Sequence, residues 1–66
     1  MKNSLKVERA KRDITQASLA EMVHVSRQTI NAIETGKFVP STVLALKMAK
    51  IFGVQVADLF FLEDDD

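Results

Sequence analysis

The sequence predicts an all-α domain of five short helices, and three observations predict it. Apolar residues recur three and four positions apart in successive segments, as one buried helix face requires. Hydroxyl residues suited to helix N-termini, Thr15, Ser26 and Ser41, stand immediately before three of these segments, and Gly36 and Gly53 stand where two of them end. With 66 residues and no linker, repeat or low-complexity stretch before an acidic tail at 63–66, the chain is expected to form one small domain over 1–66.

The first helix is expected from about Ser4 to Arg12, with Leu5, Val7 and Ala10 facing inward. The second starts at Thr15 and carries Leu19, Ala20 and Val23 on one stripe. Ala20 is small where a steeply crossing helix leaves little room between backbones. Val25 plugs a tight turn, and Ser26 caps a third helix whose inward stripe is Ile30, Ile33 and the aliphatic part of Glu34. Gly36 ends that helix in the left-handed conformation. After Pro40, Ser41 caps a fourth helix, where Leu44, Ala45, Met48, Ala49 and Phe52 keep a helical period. Gly53 stops it, and Gln55 to Leu59 form a short fifth helix. Phe60, Phe61 and Leu62, followed by four acids, are too apolar for water and too short for a helix, so a strand is expected.

The run from Thr15 to Gly36 is thus two amphipathic helices joined by one tight turn, the arrangement that presents a helix to the DNA major groove. On the outer face of the third helix, Gln28 and Ala32 lie roughly opposite Ile30 and Ile33, with Asn31 and Thr35 beside them and Arg27 in the first turn.

The ordered set of Arg9, Thr15 and Gln16, Leu19, Ala20, Val23, the VSRQTI segment from Val25, the IETG segment from Ile33 with Lys37 after it, Pro40 and Ser41, and the FGV segment from Phe52 resembles the Cro/C1-type helix-turn-helix regulators, or XRE family. The resemblance covers nearly the whole chain. It is greatest to the very short stand-alone members, among them the small cytolysin-operon repressor type, which dimerise through their terminal segments. It implies a lambda-repressor-like fold with a helix-turn-helix over about 15–35. It also implies a sheet at a dimer interface formed by Phe60, Phe61 and Leu62, paired with residues near Met1 to Asn3 or with the symmetry mate. The alternative is that Phe60 and Phe61 only cover the monomer core.

Base reading is assigned by chemistry to Arg27, Gln28, Thr29, Asn31 and Ala32. A guanidinium matches the O6 and N7 acceptors of guanine, and a carboxamide matches N6 and N7 of adenine. Arg27 has a competing role as a phosphate clamp. Thr29 offers a hydroxyl or a methyl, Asn31 suits backbone or base, and Ala32 permits close approach. Phosphate contacts are expected from Gln16, Ser26, Thr35, Lys37 and Phe38. By resemblance, Gln16 also steadies the first residues of the recognition helix, while Phe38 has the alternative of folding onto the core. The resemblance makes Arg9 and Glu34 an internal ion pair. His24 stands where the family usually has glycine, a position implied to need positive φ. Thr42 replaces an apolar residue, and Val43 and Leu46 lie off the inward face, as dimer surface or ordinary surface residues.

Nine basic residues balance nine acids, which argues against DNA until their distribution is considered. Residues 1–50 hold all nine bases against Glu8, Asp13, Glu21 and Glu34, a balance of +5, and residues 51–66 hold five acids, a balance of −5. The basic part contains the reading helix. One histidine, no cysteine and no phosphate-binding glycine loop give no cofactor, no metal site and no enzyme. The FLEDDD end is expected to be a solvated tail rather than a cation site. No apolar run reaches membrane length and no signal peptide is present, so a cytoplasmic protein without membrane contact is expected. The expected partners are double-stranded DNA and a second copy of the chain, in a repressor that binds a palindromic operator as a homodimer. The alternative is an antitoxin-like module that binds a protein partner first and DNA second.

Overall fold

The computed structural model describes residues 1–66. In chain order it contains β1 (Lys2–Asn3), α1 (Leu5–Lys11), α2 (Gln16–Val23), α3 (Arg27–Glu34), α4 (Thr42–Phe52), α5 (Val56–Leu59) and β2 (Phe60–Phe61). Five helices surround a core of 11 buried apolar residues, of which Leu5, Leu19, Ile30, Met48 and Leu59 are fully excluded from solvent. This is the expected all-α, lambda-repressor-like architecture with one small sheet added.

The predicted caps form. Thr15, Ser26 and Ser41 accept hydrogen bonds from the backbone N–H groups of Ser18, Thr29 and Leu44, each satisfying a donor left free at a helix start. After α3, Gly36 adopts φ 78°, and the Lys37 N–H donates to the Ala32 carbonyl at 2.9 Å, closing the helix end. Gly53 ends α4 in the same way at φ 67°.

The first helix differs from expectation. Val7 is 55% exposed and Ala10 is also exposed, while Glu8 is buried. On a 3.6-residue period, Leu5, Glu8, Arg9 and Arg12 share one face, and its charges are neutralised in pairs. Arg12 Nη1 donates to Glu8 Oε1 at 2.8 Å and Lys11 Nζ to Glu8 Oε2 at 3.2 Å. The hydrogen bond from Arg12, then that from Lys11, holds the Glu8 carboxyl below its ordinary value against the opposing effect of burial. Arg12 also lies 5.0 Å from the Phe52 ring centroid, and its Nη2 donates to the Phe52 carbonyl. A cation thus closes the C-terminus of α4, where the helix dipole favours it.

Ser4, the expected start of the first helix, makes no side-chain cap there. Its hydroxyl donates to the Asp58 carbonyl and its N–H to the Leu59 carbonyl, so it fastens α5 to the N-terminus. Asn3 takes over the capping, accepting from the Leu5 N–H at 3.1 Å.

β1 and β2 pair antiparallel within the chain, with Lys2 opposite Phe61 and Asn3 opposite Phe60. Phe60 is half-buried against the core, Phe61 is exposed, and Leu62 lies beyond the strand with 81% exposure. Phe60 alone therefore covers the core. The acidic tail is exposed apart from a half-buried Glu63, but it is folded rather than loose. Asp66 accepts from the Glu63 N–H at 2.7 Å and from the Met1 amino group at 3.2 Å. Neutralising an adjacent cation and capping a free N–H outweigh the repulsion among its acids.

Candidate nucleic-acid interface

The turn between α2 and α3 sets the geometry. His24 occupies φ 60°, ψ 44°, the left-handed region, and Val25 N–H donates to the Ala20 carbonyl at 3.0 Å. The chain reverses direction within three residues, and half-buried Val25 packs against the core. Ile30 and Ile33 then anchor α3, leaving its opposite face in solvent.

Arg27, Gln28 and Asn31 are exposed on that face and, with Gln16 from α2, line one shallow polar depression of about 430 Å³. No apolar side chain contributes to it. Thr29 and Ala32 are half-buried and stand behind this leading edge. The Ala32 carbonyl accepts from both the Lys37 and Phe38 N–H groups, closing the end of α3.

The hydroxyls around α3 are largely committed to the protein. Ser26 Oγ lies 3.0 Å from Thr29 Oγ1 besides capping the helix. Thr35 Oγ1 donates to the Asn31 carbonyl at 2.9 Å, which uses its one proton inside the helix. Lys37 and Phe38 are both exposed in the loop that follows, so Phe38 does not fold onto the core.

Behind the face, α1 is joined to α3. Arg9 Nε donates to Glu34 Oε2 at 2.5 Å and Arg9 Nη2 to Glu34 Oε1 at 3.0 Å, a two-pronged pair with both side chains largely buried. Arg9 Nη1 also donates to the Ile14 carbonyl at 2.8 Å. Burial tends to raise the Glu34 pKa, but hydrogen bonds from Arg9 and Gln16, with the nearby charges of Arg9 and Lys6, hold it below its ordinary value.

Gln16 differs from what the resemblance implies. Its Nε2 donates to Asn31 Oδ1 at 3.2 Å and to Glu34 Oε1 at 3.1 Å, so it grips the second half of α3 rather than its first residues. Because the turn joins the end of α2 to the start of α3, the beginning of α2 meets α3 far from that joint. Asn3 completes the support, donating from Nδ2 to the Ile33 carbonyl at 2.9 Å. Sequence reasoning missed Asn3, although a side-chain oxygen two residues before Leu5 is a helix-start signal. It also missed Arg12, whose partner Phe52 is 40 residues away.

Comparison with known proteins agrees with this geometry. The sequence pattern of the Helix-turn-helix family matches residues 5–59. An uncharacterized HTH-type transcriptional regulator of Methanocaldococcus jannaschii is 56% identical over 66 residues, covering 100% of both chains. One from Bacillus subtilis is 47% identical, again over 100% of both. The restriction-modification controller protein C.AhdI from Aeromonas hydrophila superposes with a TM-score of 0.75 at 27% identity, over 85% of this chain and 81% of that one. The clp gene regulator ClgR from C. glutamicum superposes with a TM-score of 0.73 at 31% identity, over 83% and 71%. A polar helix face presented by a tight turn, on a fold shared with these regulators, places the chain in the helix-turn-helix family of XRE type, the non-enzymatic DNA-binding HTH transcriptional regulators.

Proposed function

We propose that this protein is a sequence-specific repressor that binds a palindromic operator as a homodimer and acts by occupying a promoter. The observation that carries the reading is the α3 face, where Arg27, Gln28 and Asn31 stand exposed together with nothing apolar among them. Arg27 and Gln28 bring groups that match guanine and adenine edges, while Lys37 and the exposed Lys37–Phe38 loop lie where phosphates flank a reading helix.

Support for the dimer is an apolar groove of about 230 Å³ lined by Val39, Leu46, Val56 and Phe60 among others. Val43, 63% exposed, lies on the same helix as Leu46, and Phe61 and Leu62 follow Phe60. This much exposed aliphatic surface on so small a domain suits a second copy. Such a dimer would set its two α3 helices in successive major grooves, with half-sites one helical turn, roughly 34 Å, apart. β2 is already ordered by pairing with β1 within its own chain, whereas the antitoxin-like alternative calls for a strand that orders on its partner.

The test is selection of bound DNA from a random pool by the purified protein, followed by titration at two salt concentrations. An enriched inverted repeat with steep salt dependence supports the reading. No enrichment, with only weak salt-sensitive binding, overturns it.

A further inference from the structure

The loop after α3 spends its first backbone donors on closing that helix. Thr35 N–H goes to the Asn31 carbonyl and Gly36 N–H to that of Ile33, while the Lys37 and Phe38 N–H groups share the Ala32 carbonyl at 2.9 and 3.2 Å. Val39 carries the first N–H past α3 that has no backbone acceptor in the protein. The backbone that presents Lys37 and Phe38 is therefore held in place by the helix itself.

Phe38 is the residue in this loop that the fold does not use. Its side chain is 50% exposed, it is not packed against the core, and it stands outside the apolar groove that Val39 and Pro40 line. A phenyl ring has no donor or acceptor and the Phe38 N–H is already bonded, so the residue has no group with which to bind phosphate. Its two chain neighbours do have one, the exposed Lys37 ammonium and the Val39 N–H. Each DNA phosphate is joined to a deoxyribose, whose carbon face is the apolar surface beside it.

We propose that Lys37, Phe38 and Val39 grip one nucleotide of the DNA backbone, with Lys37 and the Val39 N–H on the phosphate and the Phe38 ring on the face of the adjoining deoxyribose. The inference rests on the proposed docking of α3 on DNA. It gives the protein a share of affinity that is apolar, independent of sequence and insensitive to salt, beside the charge-driven share.

The experiment compares the unaltered protein with Phe38→Ala, Phe38→Leu, Phe38→Gln and Lys37→Ala, titrated at two salt concentrations on the duplex enriched by the unaltered protein. Phe38→Ala should bind about tenfold more weakly, as expected when the exposed half of a ring is no longer buried, with the same base preferences and the same salt slope. Phe38→Leu should recover most of the loss, and Phe38→Gln, which can donate to phosphate, should not. Lys37→Ala should reduce the salt slope by about one per recognition helix. NMR of the complex should show ring-current shifts of deoxyribose protons that vanish in Phe38→Ala.

Unchanged affinity in Phe38→Ala overturns the inference, as does full binding by Phe38→Gln. Loss of a thymine preference at one position in Phe38→Ala places the ring on a base instead and overturns the sugar contact. Sedimentation of Phe38→Ala as a monomer where the unaltered protein is a dimer assigns the ring to the dimer surface, which also overturns it. Failure of the unaltered protein to enrich any duplex is instead the failure of the functional reading. The melting temperature of Phe38→Ala should match that of the unaltered protein, since the side chain supports no core; a large drop overturns the contact's basis.

Discussion

His24 is one of two non-glycine residues at positive φ, held at φ 60° and ψ 44° where α2 hands over to α3. A β-carbon in this region crowds the following carbonyl, a cost that glycine escapes and that histidine bears with only slightly more tolerance than most residues. Glycine in turn loses more chain entropy on folding, which returns part of the gain. The balance favours His24→Gly by about 0.5 kcal/mol, an increase in melting temperature of about 2–4 °C for a domain of this size. Calorimetry checks it, and a lower melting temperature would refute the strain account. Asp13, at φ 54°, is a similar case at the end of α1, with a side chain that tolerates the left-handed region better than most.

Among the elements, α1 is attached to the rest of the fold less by apolar contact than by charge. Leu5 enters the core, but Arg9 and Arg12 extend outward from its neighbouring positions to Glu34 and Phe52. Arg9→Ala would leave the Glu34 carboxylate largely buried without its cation, and loss of one partner of such a pair costs about 3 kcal/mol. For a domain of 66 residues that is a large part of the total stability, and DNA binding should fall with it. Chemical denaturation measures the loss, and unchanged stability would show that the pair carries nothing. Asn3 performs a smaller version of this task, joining β1 to the end of α3 and starting α1. Asn3→Ala should cost about 1–2 kcal/mol, read by the same denaturation experiment.

For the molecule as a whole, the same carboxylates give stability a pH dependence with a definite sign. Glu8 and Glu34 both titrate below their ordinary value of 4.5 in the folded protein. The unfolded chain therefore binds their protons first as pH falls, so their contribution is complete above about 4.5 and is lost as pH drops through the folded values. Melting temperature should be level from pH 7 to 5 and fall steadily below. Glu34→Gln should be less stable at neutral pH and show a shallower acid decline, and an equally steep decline would remove Glu34 from the account. Along the sequence the bases lie in residues 1–50 and five of the nine acids in 51–66, but the pairing of β1 with β2 brings the two ends together and sets Glu63 beside Thr35 and Gly36 at the end of α3.

What the sequence by itself determined is local. The caps at Thr15, Ser26 and Ser41, the left-handed ends at Gly36 and Gly53, and the inward stripes of α2 to α4 depend on neighbours within about one helical turn, so spacing and residue type reveal them. The exposed face of α3 follows from the same periodicity. Tertiary structure decided which polar groups meet. Val7 and Ala10 are displaced outward because Glu8 and Arg12 find partners, and Gln16 bonds Asn31 and Glu34 because the start of α2 packs beside the end of α3, far from their common turn. Arg9 and Glu34 lie 25 residues apart and Arg12 and Phe52 lie 40 apart. Hydrogen bonds over such separations depend on distances and angles that exist only once the helices have packed, and no sequence period encodes them.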